Sequence, residues 1–359
     1  MVERPGTMAM LGLDPSFWRG RSVFVTGHTG FKGSWLSLWL QGMGARVHGY
    51  ALAPDTSPAL FDIARVGEGM NHRIGDIRDL AGLHAALQAA QPEIVFHLAA
   101  QSLVREGYRD PLGTLAANVM GTANVLNAVR DVSSVRAVLV VTSDKCYLNR
   151  ERRQAYREDD AMGGRDPYSA SKACAEIVTS AWRDSFLHDR VGVASMRAGN
   201  VIGGGDWSAD RLVPDALRAW EKGEILQIRY PAAVRPWQHV LEPLHGYLLL
   251  AQRVATGEAA EAWNFGPADE DMLPVETLLN RLAAHWGAGA AWRCDGKENP
   301  HEAGLLHLDS GKARERLGWQ PRWRLDHALG RIVAWHRAYL SGADMRRQCE
   351  MDIEDYLAP

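Results

Sequence analysis

Residues 26 to 33 read Thr26-Gly27-His28-Thr29-Gly30-Phe31-Lys32-Gly33, directly after a short apolar run and before an apolar stretch with helical spacing. The glycines follow a GxxGxxG pattern. Gly27 permits a tight turn, Gly30 lets the backbone approach a pyrophosphate, and Gly33 lets the helix pack close to the strand. The helix N-terminus then presents free N–H groups and a positive dipole end to the phosphates. The stretch therefore predicts a dinucleotide-binding turn.

Around this turn, short β-rich runs alternate with segments of helical period, which is typical of βαβ units. The predicted strands are residues 22–25, 45–50, 72–75, 94–98, 137–141 and 191–196, and the predicted helices include residues 35–41, 80–90, 114–129 and 169–186. Right-handed crossovers place helices on both faces of the sheet. The expected fold class is α/β, with a Rossmann-type doubly wound parallel sheet that forms an NAD-binding domain over residues 17–199.

Beyond Asn200 the alternation weakens, and Gly, Pro and Trp become frequent, as in Gly203-Gly204-Gly205-Asp206-Trp207 and Arg235-Pro236-Trp237. Helical period returns at residues 275–286 and 325–340. No repeat or low-complexity linker intervenes. We therefore expect a smaller, loop-rich C-terminal lobe over residues 200–345 that binds the substrate, packs on the main sheet and returns some segments to it.

Composition excludes several classes of function. The 359 residues carry a formal net charge of −3 with both signs mixed, so no basic field for nucleic acid is expected. The four cysteines form no CxxC pair and the histidines show no HExxH spacing, which predicts neither a disulfide framework nor a metal site. We see no export signal and no apolar run of the roughly 18 residues that a membrane span requires. The expectation is a soluble, cytoplasmic protein without membrane contact.

The carboxyl ends of the predicted strands carry the other candidate cofactor contacts, because ligands of such sheets bind at that edge. Asp55, after the second strand, either binds the adenosine ribose or is a turn residue, and its loop holds no arginine for a 2′-phosphate, which favours NAD over NADP. Asp76 either accepts from the adenine amino group or caps the following helix. The predicted cofactor-binding residues are Gly27, Thr29, Gly30, Phe31, Lys32, Gly33, Asp76, Ile77, Leu98, Ala99, Ala100, Tyr168 and Lys172.

Tyr168-Ser169-Ala170-Ser171-Lys172 is a Tyr-x-x-x-Lys at the start of a predicted helix, so both side chains share one face. A lysine ammonium stabilises a neighbouring phenolate, and a nicotinamide cation does the same, so the phenol can act as a base near neutral pH. The fifth strand ends in Thr142-Ser143-Asp144-Lys145-Cys146-Tyr147 at the same sheet edge. Here the chain resembles the extended short-chain dehydrogenase/reductases, which implies that Ser143 binds the substrate hydroxyl, Tyr168 is the base and Lys172 assists.

Further stretches narrow the resemblance to the sugar-nucleotide 4,6-dehydratases, and among them to those that act on CDP-glucose. The similarity runs over about residues 17–340 and is carried by residues 142–147, 197–207, 234–240 and 301–303. Most members have Asp-Glu where this chain has Asp144-Lys145, and the lysine variant is similar to the cytidine-linked branch. The resemblance implies a lyase that converts CDP-D-glucose to CDP-4-dehydro-6-deoxy-D-glucose in deoxysugar (O-antigen) biosynthesis.

The resemblance also implies a mechanism, an internal redox cycle. Tyr168 takes the proton of the C4 hydroxyl while hydride passes from C4 to NAD, and the resulting ketone acidifies the C5 hydrogen. Lys145 either removes the C5 proton or only orients the substrate, and protonated Asp144 gives a proton to the departing C6 hydroxyl. Hydride then returns to C6, so the net change is the loss of one water.

Substrate contacts follow from the same likeness, which assigns Gln101, Asn200, Arg211, Arg235 and His301 to the nucleotide sugar. Arginine suits a pyrophosphate because its planar fork donates in pairs, although Arg211 is open to a plain surface salt bridge. The predicted helices 114–129 and 169–186 resemble those that form a four-helix dimer interface in the family, so a homodimer or higher homo-oligomer is expected.

Two other functions remain open from the sequence. A nucleotide-sugar 4-epimerase shares the Tyr-Lys machinery and NAD, but it needs no acid and base for C5 and C6, so Asp144-Lys145 favours the dehydratase. A catalytically silent NAD-sensing regulator on the same fold usually lacks the catalytic tyrosine, so Tyr168 with Lys172 argues against that reading.

Overall fold

A computed structural model describes residues 12–296 and 304–358, which are built on one large parallel sheet. The strands are β1 Ser22–Thr26, β2 Arg46–Ala51, β3 Asn71–Ile74, β4 Ile94–His97, β5 Ala137–Val141, β6 Gly192–Arg197, β7 Val201–Ile202, β8 Leu226–Ile228, β9 Val234–Pro236, β10 Gln238–His239, β11 Ala262–Asn264, β12 Met272–Pro274 and β13 Trp292–Cys294. In this part of the chain the large sheet has seven strands in the order β11-β6-β5-β4-β1-β2-β3. The predicted α/β class with a doubly wound parallel sheet is confirmed.

The helices alternate with these strands through the first half of the chain. The α-helices are α1 Pro15–Trp18, α2 Phe31–Gly42, α3 Leu60–Ile63, α4 Leu80–Ala90, α5 Val104–Arg109, α6 Pro111–Leu115, α7 Gly121–Val129, α8 Pro167–Trp182, α9 Leu212–Glu221, α10 Leu241–Ala255, α11 Val275–Trp286, α12 Gly311–Leu317, α13 Leu325–Leu340 and α14 Met345–Leu357. Short 3-10 turns cover Val66–Gly69, Asp144–Cys146 and Asp269–Asp271, and π turns cover Ala116–Met120 and Arg183–Leu187. None of the helices formed by residues 12–296 and 304–358 combines the length and apolar character needed to cross a bilayer.

The central strands are apolar on both faces because helices cover each side of the sheet. Alternate residues of β1 enter different cores: Val23 and Val25 join one cluster with α2 and α10, whereas Phe24 joins the cluster of α4 and α7. A third cluster holds the smaller lobe together through α9, α11 and α13. These layers leave the carboxyl edge of the sheet open.

Three predicted helices differ from the observed ones, and the first of them, 35–41, is only the inner part of α2, Phe31–Gly42. The predicted helix 114–129 is α6 and α7 joined by the π turn Ala116–Met120, and π turns inside helices occur frequently at functional sites. The predicted helix 169–186 begins earlier, at Pro167, because the Asp166 carboxylate accepts from the Ser169 N–H and Pro167 suits the first helical position. The predicted helices 275–286 and 325–340 are confirmed as α11 and α13.

The smaller lobe is interleaved with the main sheet. Its strand pairs are β7 with β10, β8 with β13, and β9 with β12. The chain also returns to the main sheet, where α10 packs on β5 and β6, and β11 pairs in parallel with β6. The helix α14, beyond the predicted end of the lobe at residue 345, docks against α2 through Tyr356 and Trp39, whose ring centroids lie 5.8 Å apart. The domain boundary at residue 200 therefore stays a prediction.

The contact between Gly33 and the turn predicts a sharp response to one added methyl group. A Cβ on Gly33 would lie 2.0 Å from the Gly27 carbonyl oxygen, so Gly33→Ala should push α2 away from β1 and lower the free energy of unfolding by about 1–3 kcal/mol. Gly42→Ala, at the far end of the same helix, has nothing within 4 Å and should stabilise by about 0.5–1 kcal/mol. Urea unfolding of both variants checks the prediction, and equal midpoints would contradict it.

Candidate active site

A cleft of about 750 Å³ opens at the carboxyl edge of the sheet, between the glycine-rich turn and the smaller lobe. The residues predicted from the sequence line it together, with one exception. Those that line it are Gly27, Thr29, Gly30, Phe31, Lys32, Gly33, Asp55, Asp76, Ile77, Leu98, Ala99, Ala100, Gln101, Ser143, Asp144, Lys145, Tyr168, Lys172, Asn200, Arg211 and Arg235. The exception, His301, lies outside the described residues.

The glycine-rich turn is shaped as the sequence predicts. Gly27 has a φ of 76°, and a Cβ there would lie 2.6 Å from the Ala99 backbone nitrogen. A Cβ on Gly30 would meet only the Gly27 oxygen, at 3.5 Å, so Gly30 leaves the cleft side of the turn open. The helix α2 begins at Phe31, and Gly30 has no side chain to cap its first N–H groups. These groups fit a pyrophosphate at a helix N-terminus.

The two acids at the outer end of the cleft differ in their surroundings. Asp55 lines the cleft in a loop that Thr29 fixes, because the Thr29 hydroxyl donates to the Leu52 carbonyl oxygen at 2.8 Å. The Asp76 carboxylate accepts from the Arg78 N–H at 2.8 Å and from the Arg78 guanidinium, which lowers the pKa of Asp76. Asp76 does not cap α4, since Asp79 does so by accepting from the Gly82 N–H.

Tyr168 and Lys172 lie one turn apart on α8, and both are buried at the end of β5. Burial raises the pKa of Tyr168 to about 12, while a hydrogen bond with Ser143 and the charge of Arg211 act in the opposite direction. Burial lowers the pKa of Lys172 to about 8, against the attraction of Glu176. The Lys172 ammonium lies 3.5 Å from the Val141 carbonyl oxygen, to which it donates. Ser143, Tyr168 and Lys172, which the sequence predicts to act together, are therefore adjacent in the cleft.

The Asp144 carboxylate is held in a tight pocket. The Ser143 hydroxyl donates to Asp144 Oδ1 at 2.9 Å, and the Asn200 amide donates to Asp144 Oδ2 at 3.5 Å. A Cβ on Gly199 would lie 1.7 Å from Asp144 Oδ2, so only glycine leaves space for the carboxylate. Lys145 follows in the same 3-10 turn and is half-buried at the cleft wall.

The predicted substrate arginines are tied to the cleft walls. Arg211 pairs with Asp206 at 2.9 Å and donates to the Ser102 hydroxyl at 2.9 Å, so its ion pair belongs to the cleft. Arg235 is buried and donates to the Val234 carbonyl oxygen at 2.9 Å. Gln101 is fixed by Thr114, to whose hydroxyl its amide donates at 2.8 Å. Each polar group is thus set in place by a neighbour, which for Arg211 includes Ser102, far away in sequence.

Three residues of the site were missed by sequence reasoning: Gly199, Asn118 and Glu176. Asn118, in the π turn, exchanges hydrogen bonds with the Gln101 backbone and donates to the Ser171 hydroxyl at 2.8 Å. Glu176 is a buried carboxylate one turn beyond Lys172. The available signal in the sequence was a polar residue, Asn118 or Glu176, on the buried face of an amphipathic helix.

The Lys32 side chain also lies in the cleft, where burial and the cations Arg211 and Lys172 lower its pKa to about 7.

Among residues 12–296 and 304–358, no group of three or more His, Cys, Asp or Glu side chains is arranged to hold a metal ion. The cleft brings together a phenol, a lysine pair and a buried carboxylate beside a pyrophosphate-shaped turn. This arrangement can remove a proton from a hydroxyl, and it places an acid and a second lysine within the same cleft.

Comparison with known proteins gives consistent matches. A family model described as GDP-mannose 4,6 dehydratase matches residues 24–332. The CDP-glucose 4,6-dehydratase of Salmonella typhimurium is 53% identical over 354 residues, which cover 96% of this chain and 99% of the relative. A probable dTDP-glucose 4,6-dehydratase of Sinorhizobium fredii is 26% identical and covers 88% of this chain and 92% of its own.

Solved structures show the same fold. DesIV, a dTDP-glucose 4,6-dehydratase from Streptomyces venezuelae solved with NAD and TYD bound, has a TM-score of 0.76 at 24% identity and covers 90% of this chain and 99% of its own. A UDP-glucose 4-epimerase from Thermotoga maritima, solved with UDP-glucose, has a TM-score of 0.76 at 21% identity. The match covers 89% of this chain and 99% of the epimerase chain. At these identities the structures indicate the fold, not the reaction.

Proposed function

We propose that this chain, which belongs to the GDP-mannose 4,6-dehydratase family, removes water from CDP-D-glucose to give CDP-4-dehydro-6-deoxy-D-glucose. The chain is an NAD-dependent sugar-nucleotide 4,6-dehydratase. The observation that carries the choice of CDP-glucose is the 53% identity, over 96% of the chain, to a CDP-glucose 4,6-dehydratase. The Asp144-Lys145 pair, which lines the same cleft as Tyr168, agrees with the choice of CDP-glucose.

The cofactor is NAD, which fits the glycine-rich turn. Gly27 and Gly33 have no room for side chains, Gly30 leaves the cleft side open, and α2 points its N-terminus at that space. Asp55 and Asp76 line the outer end of the same cleft, where the adenosine would lie. Gly27, Gly30 and Gly33 would hold its pyrophosphate, and the cofactor would supply an acceptor for the hydride of C4 and a donor of hydride for C6.

Tyr168 is the base for the C4 hydroxyl in this proposal. The Ser143 hydrogen bond and the charge of Arg211 favour the phenolate against the burial that disfavours it. The Lys172 ammonium, one turn along α8, adds to the positive surroundings. Ser143 also lies where it can bind the hydroxyl that Tyr168 deprotonates.

Asp144 and Lys145 perform the elimination. In the proposed mechanism Lys145 removes the proton at C5, which the C4 ketone has acidified, and protonated Asp144 gives a proton to the departing C6 hydroxyl. When hydride reaches C6, the Lys145 ammonium returns a proton to C5. The Ser143 and Asn200 contacts and the space at Gly199 fix the Asp144 carboxyl for this task. The nucleotide diphosphate and the sugar are held by polar side chains of the cleft walls, which are Arg211, Arg235, Asn200 and Gln101.

The alternative functions have weaker support. A 4-epimerase shares the fold, as the Thermotoga maritima structure shows, but its reaction gives no role to the acid–base pair Asp144-Lys145. An NAD-sensing regulator gives no role to the paired Tyr168 and Lys172. The proposed location is the cytoplasm, and the cysteines Cys146, Cys174, Cys294 and Cys349 are all free, which suits a reducing compartment.

A homodimer is also part of the proposal. The helices α7 and α8 pack side by side, and apolar side chains of α8, of α6 and of the two π turns beside them are exposed to solvent. The exposed side chains are Leu112 at 77%, Met120 at 58%, Ile177 at 58% and Phe186 at 51%. Exposed apolar side chains of this kind support the proposal of an association surface. A second copy of the chain fits it because two such helix pairs form a four-helix interface about a twofold axis.

The proposed reaction predicts one product from a panel of nucleotide sugars. We expect purified protein with NAD to convert CDP-glucose into a product lighter by one water, at a kcat/KM at least about tenfold above that for UDP-glucose, dTDP-glucose or GDP-mannose. Mass spectrometry identifies the product, and Tyr168→Phe is the control that should abolish it. Preferred dehydration of another nucleotide sugar, or an isomer without mass loss, would contradict the proposal.

The proposed role of Lys145 predicts a loss of exchange at C5. In heavy water, Lys145→Ala should lower kcat by about 10²-fold and slow deuterium entry at C5 to the same extent, because the base for that proton is gone. Nuclear magnetic resonance of the product measures the exchange. Lys222→Ala, which removes an exposed lysine at the end of α9, is the control. Deuterium entry at the wild-type rate would show that Lys145 only orients the substrate.

The proposed dimer predicts that one charge in the apolar layer separates the subunits. Ile177→Asp should yield monomers, because it buries an unpaired carboxylate in the interface. Ile225→Asp is the matched control, since Ile225 is 51% exposed on the smaller lobe. Sedimentation velocity distinguishes the two, and a monomeric wild-type protein would overturn the dimer without affecting the proposed reaction.

A further inference from the structure

A buried charge network lies beneath the Tyr168–Lys172 pair. The Glu176 carboxylate pairs with Arg197 at 2.7 Å, and both side chains are only 4% exposed. It also accepts from the Ser195 hydroxyl at 2.6 Å and from the Thr142 hydroxyl. With these donors Glu176 stays ionised, and its pKa lies below its ordinary value although burial opposes this. Such a network needs a reason, because burying an ion pair gains little stability over an apolar pair.

Glu176 is one helical turn beyond Lys172 on the same face of α8. The other titratable groups that act on or near Lys172 are Lys32 on α2, His97 at the end of β4 and Cys146 after β5. Burial lowers the pKa of His97 to about 3 and raises the pKa of the Cys146 thiol well above its ordinary value, so both are neutral. Glu176 is therefore the anion that favours a charged Lys172, against burial.

The network also joins the two loops that carry the reacting groups. Thr142 directly precedes Ser143, so its bond to Glu176 fixes the end of β5. Arg197 ends β6, shortly before Gly199 and Asn200, which enclose the Asp144 carboxylate. One carboxylate on α8 thus contacts both strand ends. The geometry connects the charge of Lys172 with the placement of Ser143.

We propose that Glu176 is a positioning residue for the dehydration: its carboxylate, fixed by Arg197, keeps Lys172 as an ammonium and so lets Tyr168 act as a base near neutral pH. This inference rests on the proposed function. It extends the Tyr-x-x-x-Lys pair by one turn to Tyr168, Lys172 and Glu176 on a single helix face. Arg197 acts indirectly, by holding the carboxylate.

The test is the ionisation of Tyr168 in Glu176→Gln. Without the carboxylate, Lys172 loses its proton at lower pH, the phenol loses a stabilising cation, and its ionisation moves to higher pH. We expect a rise of about one pH unit in the Tyr168 midpoint, and about a tenfold fall in kcat at pH 7 with the acidic limb of the profile shifted in the same direction. The phenolate absorbance of each protein minus that of its Tyr168→Phe counterpart measures the midpoint with NAD bound and without substrate.

Controls separate this effect from a loss of stability. Asp352→Asn removes another buried carboxylate, which pairs with Arg331 between α13 and α14, and should lower stability without moving either pH midpoint. Glu176→Asp should return the midpoint toward the wild-type value. If Glu176→Gln does not fold, Glu176→Gln/Arg197→Gln replaces it, because that variant leaves no buried guanidinium unpaired.

The outcomes also separate this inference from the proposed function. A Tyr168 midpoint in the folded variant equal to that of the wild type would overturn the role of Glu176, whatever the substrate is. An inactive wild-type protein with CDP-glucose would overturn the proposed function instead, and the phenol titration would still decide the role of Glu176.

Discussion

The parallel direction of the central strands constrains the rest of this molecule, because it brings their carboxyl ends to one edge. The strand β1 leads into the glycine-rich turn, β5 leads into Ser143-Asp144-Lys145, and β6 leads into Gly199 and Asn200. Helices on both faces leave that edge as the open side of the sheet. The cleft therefore forms where these loops converge, and α8 supplies Tyr168 and Lys172 from one flank.

Electrostatics within this cleft follow from burial. Lys32, Lys172 and Arg211 place three cations in little space, and burial lowers the pKa of both lysines. Asp206 pairs with Arg211, and Glu176 attracts Lys172 from beneath. Basic side chains of this kind suit diphosphate groups, whose charge both the cofactor and a nucleotide sugar carry. Of these groups Arg211 also favours the Tyr168 phenolate, against burial and the charge of Asp144.

Much of the fold could be predicted because the relevant signals are local. The alternation of strands and helices gave strand bounds within about two residues, and the helices α4, α11 and α13 have the predicted bounds. Helix caps and π turns were harder to predict from the sequence. The helix α8 begins earlier than predicted because Asp166 caps it, and a π turn interrupts the predicted helix 114–129. The charged helix α14 was not predicted, since its sequence is polar apart from the face that docks on α2.

By itself the sequence determined the glycine-rich turn, the doubly wound sheet and the Tyr-x-x-x-Lys face, because each depends on residues close together in the chain. Only the tertiary structure decided which distant residues meet. It placed Gly199 against Asp144, Arg211 against Ser102, and Arg197 against Glu176. These contacts depend on how the strand ends converge and on which buried polar groups need partners, and neither can be read from spacing along the chain.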